Sequence, residues 1–127
     1  MNIEKTTKSN EDYIEAIYVH EIEHQGNPMK STDLASEMKV SKAAISKAMH
    51  ELKEKGLIDK SDYGKIFLTN LGREIARKVY LKHETIHNFL IALGVSSEKA
   101  SVECCLIEHI VSDETVERMA FFLSKNK

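Results

Sequence analysis

The sequence has one proline, Pro28, among 127 residues, and only five glycines, at positions 26, 56, 64, 72 and 94. Backbone breakers are thus confined to a few points, and the stretches between them are free to be helical. There is no tryptophan, and the two cysteines, Cys104 and Cys105, are adjacent. Neighbouring cysteines rarely pair with each other, so a disulfide framework is excluded. Packing, metal ligation and catalysis remain as their uses. No apolar run approaches the roughly 18 residues of a membrane span. Residues 1–8 carry no apolar signal core. A cytoplasmic chain with no membrane partner is expected. The net charge is −2, so any nucleic-acid surface must be local. The length suits one or two small domains and leaves little room for an elaborate enzyme.

The local charge balance does shift. From Lys39 to Lys65, seven lysines face four acids, an excess of +3. By itself that fits either a solvated face or a nucleic-acid surface.

Apolar spacing and capping residues predict a first helix from Ser9 or Asn10 to about His24, with Ile14, Ile17, Tyr18 and Ile22 as its stripe. After the break at Gly26 and Pro28, Ser31 or Thr32 caps a short helix that turns Leu34, Ala35 and Met38 inward. Lys39 and Val40 form a tight turn. Ser41 caps a third helix, with Ile45, Ala48, Met49 and Leu52 inward and Gly56 as a left-handed stop. Leu57–Ile58 and Ile66–Leu68 flank a turn and predict a two-stranded hairpin. Thr69 or Asn70 caps a long helix to Leu93. Ser96 or Ser97 caps another to about Val111, and Ser112 or Asp113 opens the last, through Leu123. The expected fold is mainly α: a winged helix-turn-helix with a small β-hairpin wing over residues 1–70, then an all-helical domain over 71–127.

A helix following such a turn fits the major groove, and its N-terminal residues reach base edges. Ser41, Lys42, Ala43, Ala44, Ser46 and Lys47 are therefore the candidate groove contacts. Lys30, Ser31 and Thr32 start the preceding helix, whose free amides suit a phosphate. Lys60, Tyr63 and Lys65 would line the backbone or minor groove. Double-stranded operator DNA is the expected partner and no small organic substrate is. One such helix per chain suits a dimer on a palindromic site, and Val116, Met119, Ala120 and Leu123 form an apolar stripe for the dimer contact.

Three groups of residues carry metal-ligand chemistry. Asp12 and Glu15 share a helix face. His83 and His87 are one turn apart on the long helix. Cys105, Glu108 and His109 project to one side of the next helix, and thiolate, carboxylate and imidazole together suit a borderline first-row divalent ion. Each group has a plainer reading: acids favour a helix start, histidines pack half-buried, and cysteines serve as small core residues. Rotation by about 100° per residue turns Cys104 away from the Glu108 and His109 face. Three other functions compete; a pure dimeric scaffold is opposed by the lysine-lined helix-turn-helix, and two remain. One is a winged-helix regulator gated by an organic ligand or by thiol oxidation. The other is an enzyme with Cys105 as nucleophile and His109 as base, against which stands the lack of an oxyanion element or glycine-rich loop.

The segment Glu11–Tyr18, the helix-turn-helix, Tyr63–Gly64 followed by Leu68–Thr69 and Gly72, and Cys105–His109 with Ser112–Asp113 resemble the metal-dependent repressors that include the diphtheria toxin repressor and the manganese transport regulator. The resemblance spans about residues 9–124. It implies a homodimeric repressor that binds operator DNA when loaded with iron(II) or manganese(II). It also implies metal ligands at Asp12, Glu15, His83, Glu108 and His109. Cys105 departs from the manganese branch, which has a bridging glutamate there, and agrees with the iron branch. Asp12 replaces the iron branch's methionine, and His87 stands where that branch has an acidic ancillary ligand. The implied site is a hybrid of the two branches.

Overall fold

The computed structural model describes residues 5–61 and 64–126. Its order is α1 (Lys5–Glu23), β1 (Met29–Lys30), α2 (Ser31–Met38), α3 (Lys42–Glu54), β2 (Ile58–Lys60), β3 (Lys65–Leu68), α4 (Asn70–Leu93), α5 (Ser97–Ile107) and α6 (Asp113–Lys125). Two compact units divide at Lys78 and Val79, inside α4. No described helix is long and apolar enough to cross a membrane.

In the first unit, α1, α2 and α3 close on one face of a three-stranded antiparallel sheet of order β1-β3-β2. The core is Ile14, Ile17, Leu34, Ile45, Met49, Leu52 and their neighbours from the sheet, Met29, Ile58, Ile66 and Leu68. Strand register explains the division of faces, because side chains alternate along a strand. Met29 pairs with Ile66 and Ile58 with Leu68, all buried, while Lys30 pairs with Lys65 and Asp59 with Phe67, all exposed.

The turn between α2 and α3 is made by Lys39, whose φ of 57° is left-handed and closes the end of α2. For a residue with a Cβ that conformation costs roughly 1–2 kcal/mol, offset here by the core that both helices build. Ser41 then caps α3, its Oγ accepting from the Ala44 amide at 3.1 Å. Gly56, at φ 73°, ends the turn after α3.

Several expectations shift. Helix α1 begins at Lys5, ahead of Ser9 and Asn10. Ile22, in the last turn of α1, is exposed although it continues the stripe of Ile14 and Ile17. The N-cap of α2 is Lys30, without a side-chain cap, and Ser31 is already helical. The hairpin gains a third strand in β1, whose two residues are too few to show a period. Helix α5 stops at Ile107, short of Val111, so Glu108 and His109 lie in the turn after it.

In the second unit, Ser96 and Ser112 cap α5 and α6 as expected, their Oγ atoms accepting from Lys99 and Thr115. Ile86, Ala100 and Cys104 are fully buried. Phe89 of α4 meets Phe122 of α6 edge-on, with ring centroids 5.6 Å apart. No residue of α6 is buried. Val116, Met119 and Leu123 are half-buried within the protomer and Ala120 is exposed. Val102, Leu106, Ile110, Phe121 and Phe122 remain exposed large apolar side chains.

Candidate metal centre and nucleic-acid interface

The second unit gathers four of the expected ligands. His83, on α4, turns Nδ1 toward Glu108 Oε1 at 3.6 Å and toward Cys105 Sγ at 3.8 Å. His109 Nε2 lies 3.7 Å from the same Glu108 oxygen. Donors that share one ion at metal–ligand distances of about 2.0–2.3 Å stand roughly 3–4 Å from each other, so each of these three pairs is spaced as two donors of one ion are. They are too long for strong direct hydrogen bonds.

Glu108 provides the test of fit. Its carboxylate is buried, with side-chain exposure of 2%, and neither oxygen has a hydrogen-bond partner. An ionised carboxylate in that state is costly unless a cation or donors compensate it. Imidazole nitrogens of His83 and His109 lie 3.6 and 3.7 Å from Oε1, and an imidazole lone pair is itself a metal donor. A divalent ion would compensate the Glu108 carboxylate with these imidazoles beside it, and the residues present fit one.

The end of α5 explains how Glu108 and His109 come to flank that point. Glu108 keeps helical dihedrals and donates its amide to the Cys104 carbonyl, while His109 bonds three residues back to Leu106. The tightened last turn changes the even i, i+3, i+4 projection of a regular helix.

Cys104 is the residue that sequence reasoning missed. Its Sγ is buried 3.2 Å from His83 Nε2, and His83, Cys104 and Cys105 each offer a donor within 4.8 Å of the other two. The sequence signal available was only a second cysteine beside Cys105. His87 instead faces Ser101, with Nε2 3.5 Å from the hydroxyl. Asp12 and Glu15 share the expected face of α1, half-buried in the first unit.

The first unit presents the candidate nucleic-acid surface. Ser41, Lys42, Ala43, Ser46 and Lys47 of α3 are exposed, and Ala44 is half-buried. Ser31, Thr32, Lys42, Ser46 and Lys60 line a cleft floored by Ala35 and Ile45. Hydroxyls and two ammonium groups there match the donors a phosphate takes. Lys30 and Lys65 stand opposite each other on exposed strands, a like-charge pair that is unfavourable without an anion. The Ser31 amide is not free, as expected for phosphate, but donates to the Gly64 carbonyl at 2.9 Å. That bond ties the wing to α2. Tyr63 lies outside the described residues.

Residues 5–66 match the family described as "Iron dependent repressor, N-terminal DNA binding domain". Residues 69–127 match "Iron dependent repressor, metal binding and dimerisation domain". The chain belongs to the iron-dependent repressor family. An uncharacterised HTH-type transcriptional regulator of Methanocaldococcus jannaschii is 38% identical over 122 residues, covering 95% of this chain and 97% of that protein. The HTH-type transcriptional regulator MntR of Bacillus subtilis is 32% identical over 114 residues, covering 90% of this chain and 79% of its own length. The solved structure of the manganese regulator SloR superposes with a TM-score of 0.77 at 32% identity, over 91% of this chain. The present chain spans about half the length of that regulator, 53%.

Membership of the iron-dependent repressor family assigns the two halves. The winged helix-turn-helix is its DNA-binding domain, and α4–α6 fall in its metal-binding and dimerisation domain. The uncovered α6 is what a dimerisation domain requires, because an apolar helix face left in water is unfavourable until a partner covers it.

Proposed function

We propose that this repressor binds palindromic operator DNA as a homodimer when a divalent transition metal, iron(II) or manganese(II), is held at His83, Cys105, Glu108 and His109. The buried Glu108 carboxylate, without a hydrogen-bond donor and flanked by His83 and His109, carries this reading. Asp12 and Glu15 join the ligand set on the resemblance of their segment. His87 is an ancillary ligand at most, given its contact with Ser101.

Bound there, the ion supplies positive charge and a fixed coordination geometry. His83 and His109 contribute neutral nitrogen donors, Glu108 its charge, and Cys105 a thiolate. On the DNA, Lys42, Ser46 and Lys60 hold phosphate beside Ser31 and Thr32, and Ala43 and Lys47 face the bases. Lys30 and Lys65 take the flanking backbone. Gating requires only that the DNA-competent arrangement favour the ion over the other arrangements.

The test is operator binding by the full chain, titrated anaerobically against iron(II), manganese(II), cobalt(II) and zinc(II), with sedimentation to give the species. Expected is a dimer whose operator affinity rises with metal. Equal affinity in chelator, or a monomer at micromolar concentration on metal and DNA, overturns it.

A further inference from the structure

Cys104 and Cys105 are neighbours in sequence with opposite surroundings: the first is fully buried and the second exposed. A buried cysteine is ordinarily a small core residue. Here both thiols also face one imidazole. Ring nitrogens of His83 lie 3.2 Å from Cys104 Sγ and 3.8 Å from Cys105 Sγ. With one donor atom taken from each residue, the three lie within 4.8 Å of one another. Both thiols reach the Ser101 carbonyl as well, at 3.5 and 3.4 Å.

Two sulfurs and a nitrogen make a donor set of different chemistry from the Glu108 carboxylate and His109. Ligands of one zinc, at about 2.3 Å for sulfur and about 2.0 Å for nitrogen, stand roughly 3.5–3.8 Å apart. Small side-chain movements therefore close this set on an ion. A thiolate pair selects a thiophilic ion over manganese(II). Charge selects a divalent one: two thiolates cancel it, and a neutral complex is the least costly to hold beside the buried Cys104. Cys105 is exposed, so water reaches a fourth position and completes the tetrahedral set that zinc takes.

We propose that Cys104, Cys105 and His83 form a thiophilic metal site that takes zinc(II). On binding, each thiol gives its proton to solvent and its sulfur lone pair to the ion. The ring uses whichever nitrogen meets the ion, so the site requires no particular tautomer, and the ion replaces the contacts that the thiols make without it. The site shares His83 and Cys105 with the centre proposed above but does not rest on it, because the thiol pair holds zinc whether or not Glu108 binds an ion.

X-ray absorption of the full chain, loaded anaerobically with one equivalent of zinc(II), counts the sulfur neighbours of the ion. Wild type should show two at about 2.3 Å. Cys104→Ser and Cys105→Ser should each show one, and Glu108→Gln and His109→Ala should keep two. Cadmium(II), a softer stand-in, reads affinity through its thiolate absorption band. Loss of an outer-shell partner alone costs about 10–100-fold, so removing a ligand in His83→Ala should weaken cadmium by at least about tenfold. Fewer than two sulfurs in wild type, or a count that Cys104→Ser leaves unchanged, makes Cys104 core packing and overturns the proposal. Zinc that loses its sulfurs in Glu108→Gln belongs to the Glu108 set and overturns it too, as does a cadmium affinity unchanged in His83→Ala. If Cys104→Ser does not fold, the wild-type count decides. Manganese(II) binding reads the Glu108 set separately, so the two readings fail on different ions.

Discussion

Glu108 Oε1 lies 3.6 Å from Nδ1 of His83, and its carboxylate is buried without a hydrogen-bond donor on either oxygen. The ring nearby offers a lone pair as readily as a proton. Such a pair is poorly satisfied by itself and well satisfied by a shared cation.

Metal should therefore stabilise the fold through Glu108. At a free manganese(II) concentration of about 100 times its Kd, the linkage is about 2.7 kcal/mol, roughly 10 °C in melting temperature for a chain of this size. In Glu108→Gln that shift should vanish, while the metal-free variant melts no lower than wild type, since an amide is easier to bury than a charge. Calorimetry with and without metal checks both halves. A variant that still gains several degrees from metal removes Glu108 from the ligand set.

Cys105 should set the metal preference. Its thiolate is softer than carboxylate and favours iron(II), or cobalt and zinc in vitro, over manganese(II). Cys105→Glu restores an oxygen able to bridge two ions, and activation by manganese should rise relative to iron by about tenfold or more, about 1.4 kcal/mol. Operator affinity measured against both ions without oxygen gives the ratio. A ratio equal to wild type places the thiol outside the coordination sphere.

Lys47 and Lys65 should differ in kind. Both are exposed, but Lys47 lies on α3 and Lys65 on the wing strand. Lys47→Ala should cost about 1–3 kcal/mol on operator DNA and less on unrelated DNA. Lys65→Ala should weaken both alike and reduce the slope of log affinity against log salt by about 0.9. Equal losses and equal slopes for the two variants would refute the assignment. Metal binding should be unaffected in each.

Gly72→Ala should destabilise the first unit. A Cβ there would collide with the Leu57 carbonyl, and that carbonyl already accepts from the Thr69 amide at 3.0 Å. The Thr69 hydroxyl accepts from the Gly72 amide at 3.0 Å and donates to the Gly56 carbonyl at 2.7 Å. The start of α4 is thus seated directly on the chain leading into β2. Alanine gains up to about 1 kcal/mol in helix propensity, but forced overpacking costs roughly 1–3 kcal/mol or more, and against backbone the upper end applies. A urea midpoint equal to or above wild type would contradict the close approach.

Much of the DNA-binding unit was legible in the sequence. Ile45, Ala48, Met49 and Leu52 are buried as their spacing predicts, and Ser41, Ser96 and Ser112 cap the helices they precede. These are local properties, set within one or two turns of chain. Ile22 shows where locality ends: it continues the stripe of α1 yet is exposed, since a period marks a face and says nothing of what covers it. The strand Met29–Lys30 exists only through its pairing with Ile66 and Lys65.

The candidate metal centre divides along the same line. The sequence by itself supplied the candidate donors, their order along the chain, the departure of Cys105 from the manganese branch and those of Asp12 and His87 from the iron branch. Only the tertiary structure decided what each donor faces. It set His87 on Ser101, left the Glu108 carboxylate buried without a donor, and brought Cys104 to His83 Nε2 although one residue of rotation separates it from Cys105. The reason is physical: helical rotation orders side chains around their own axis, but the His83 ring arrives from another helix, and its two opposed nitrogens reach two thiols that no single-helix projection puts on one side.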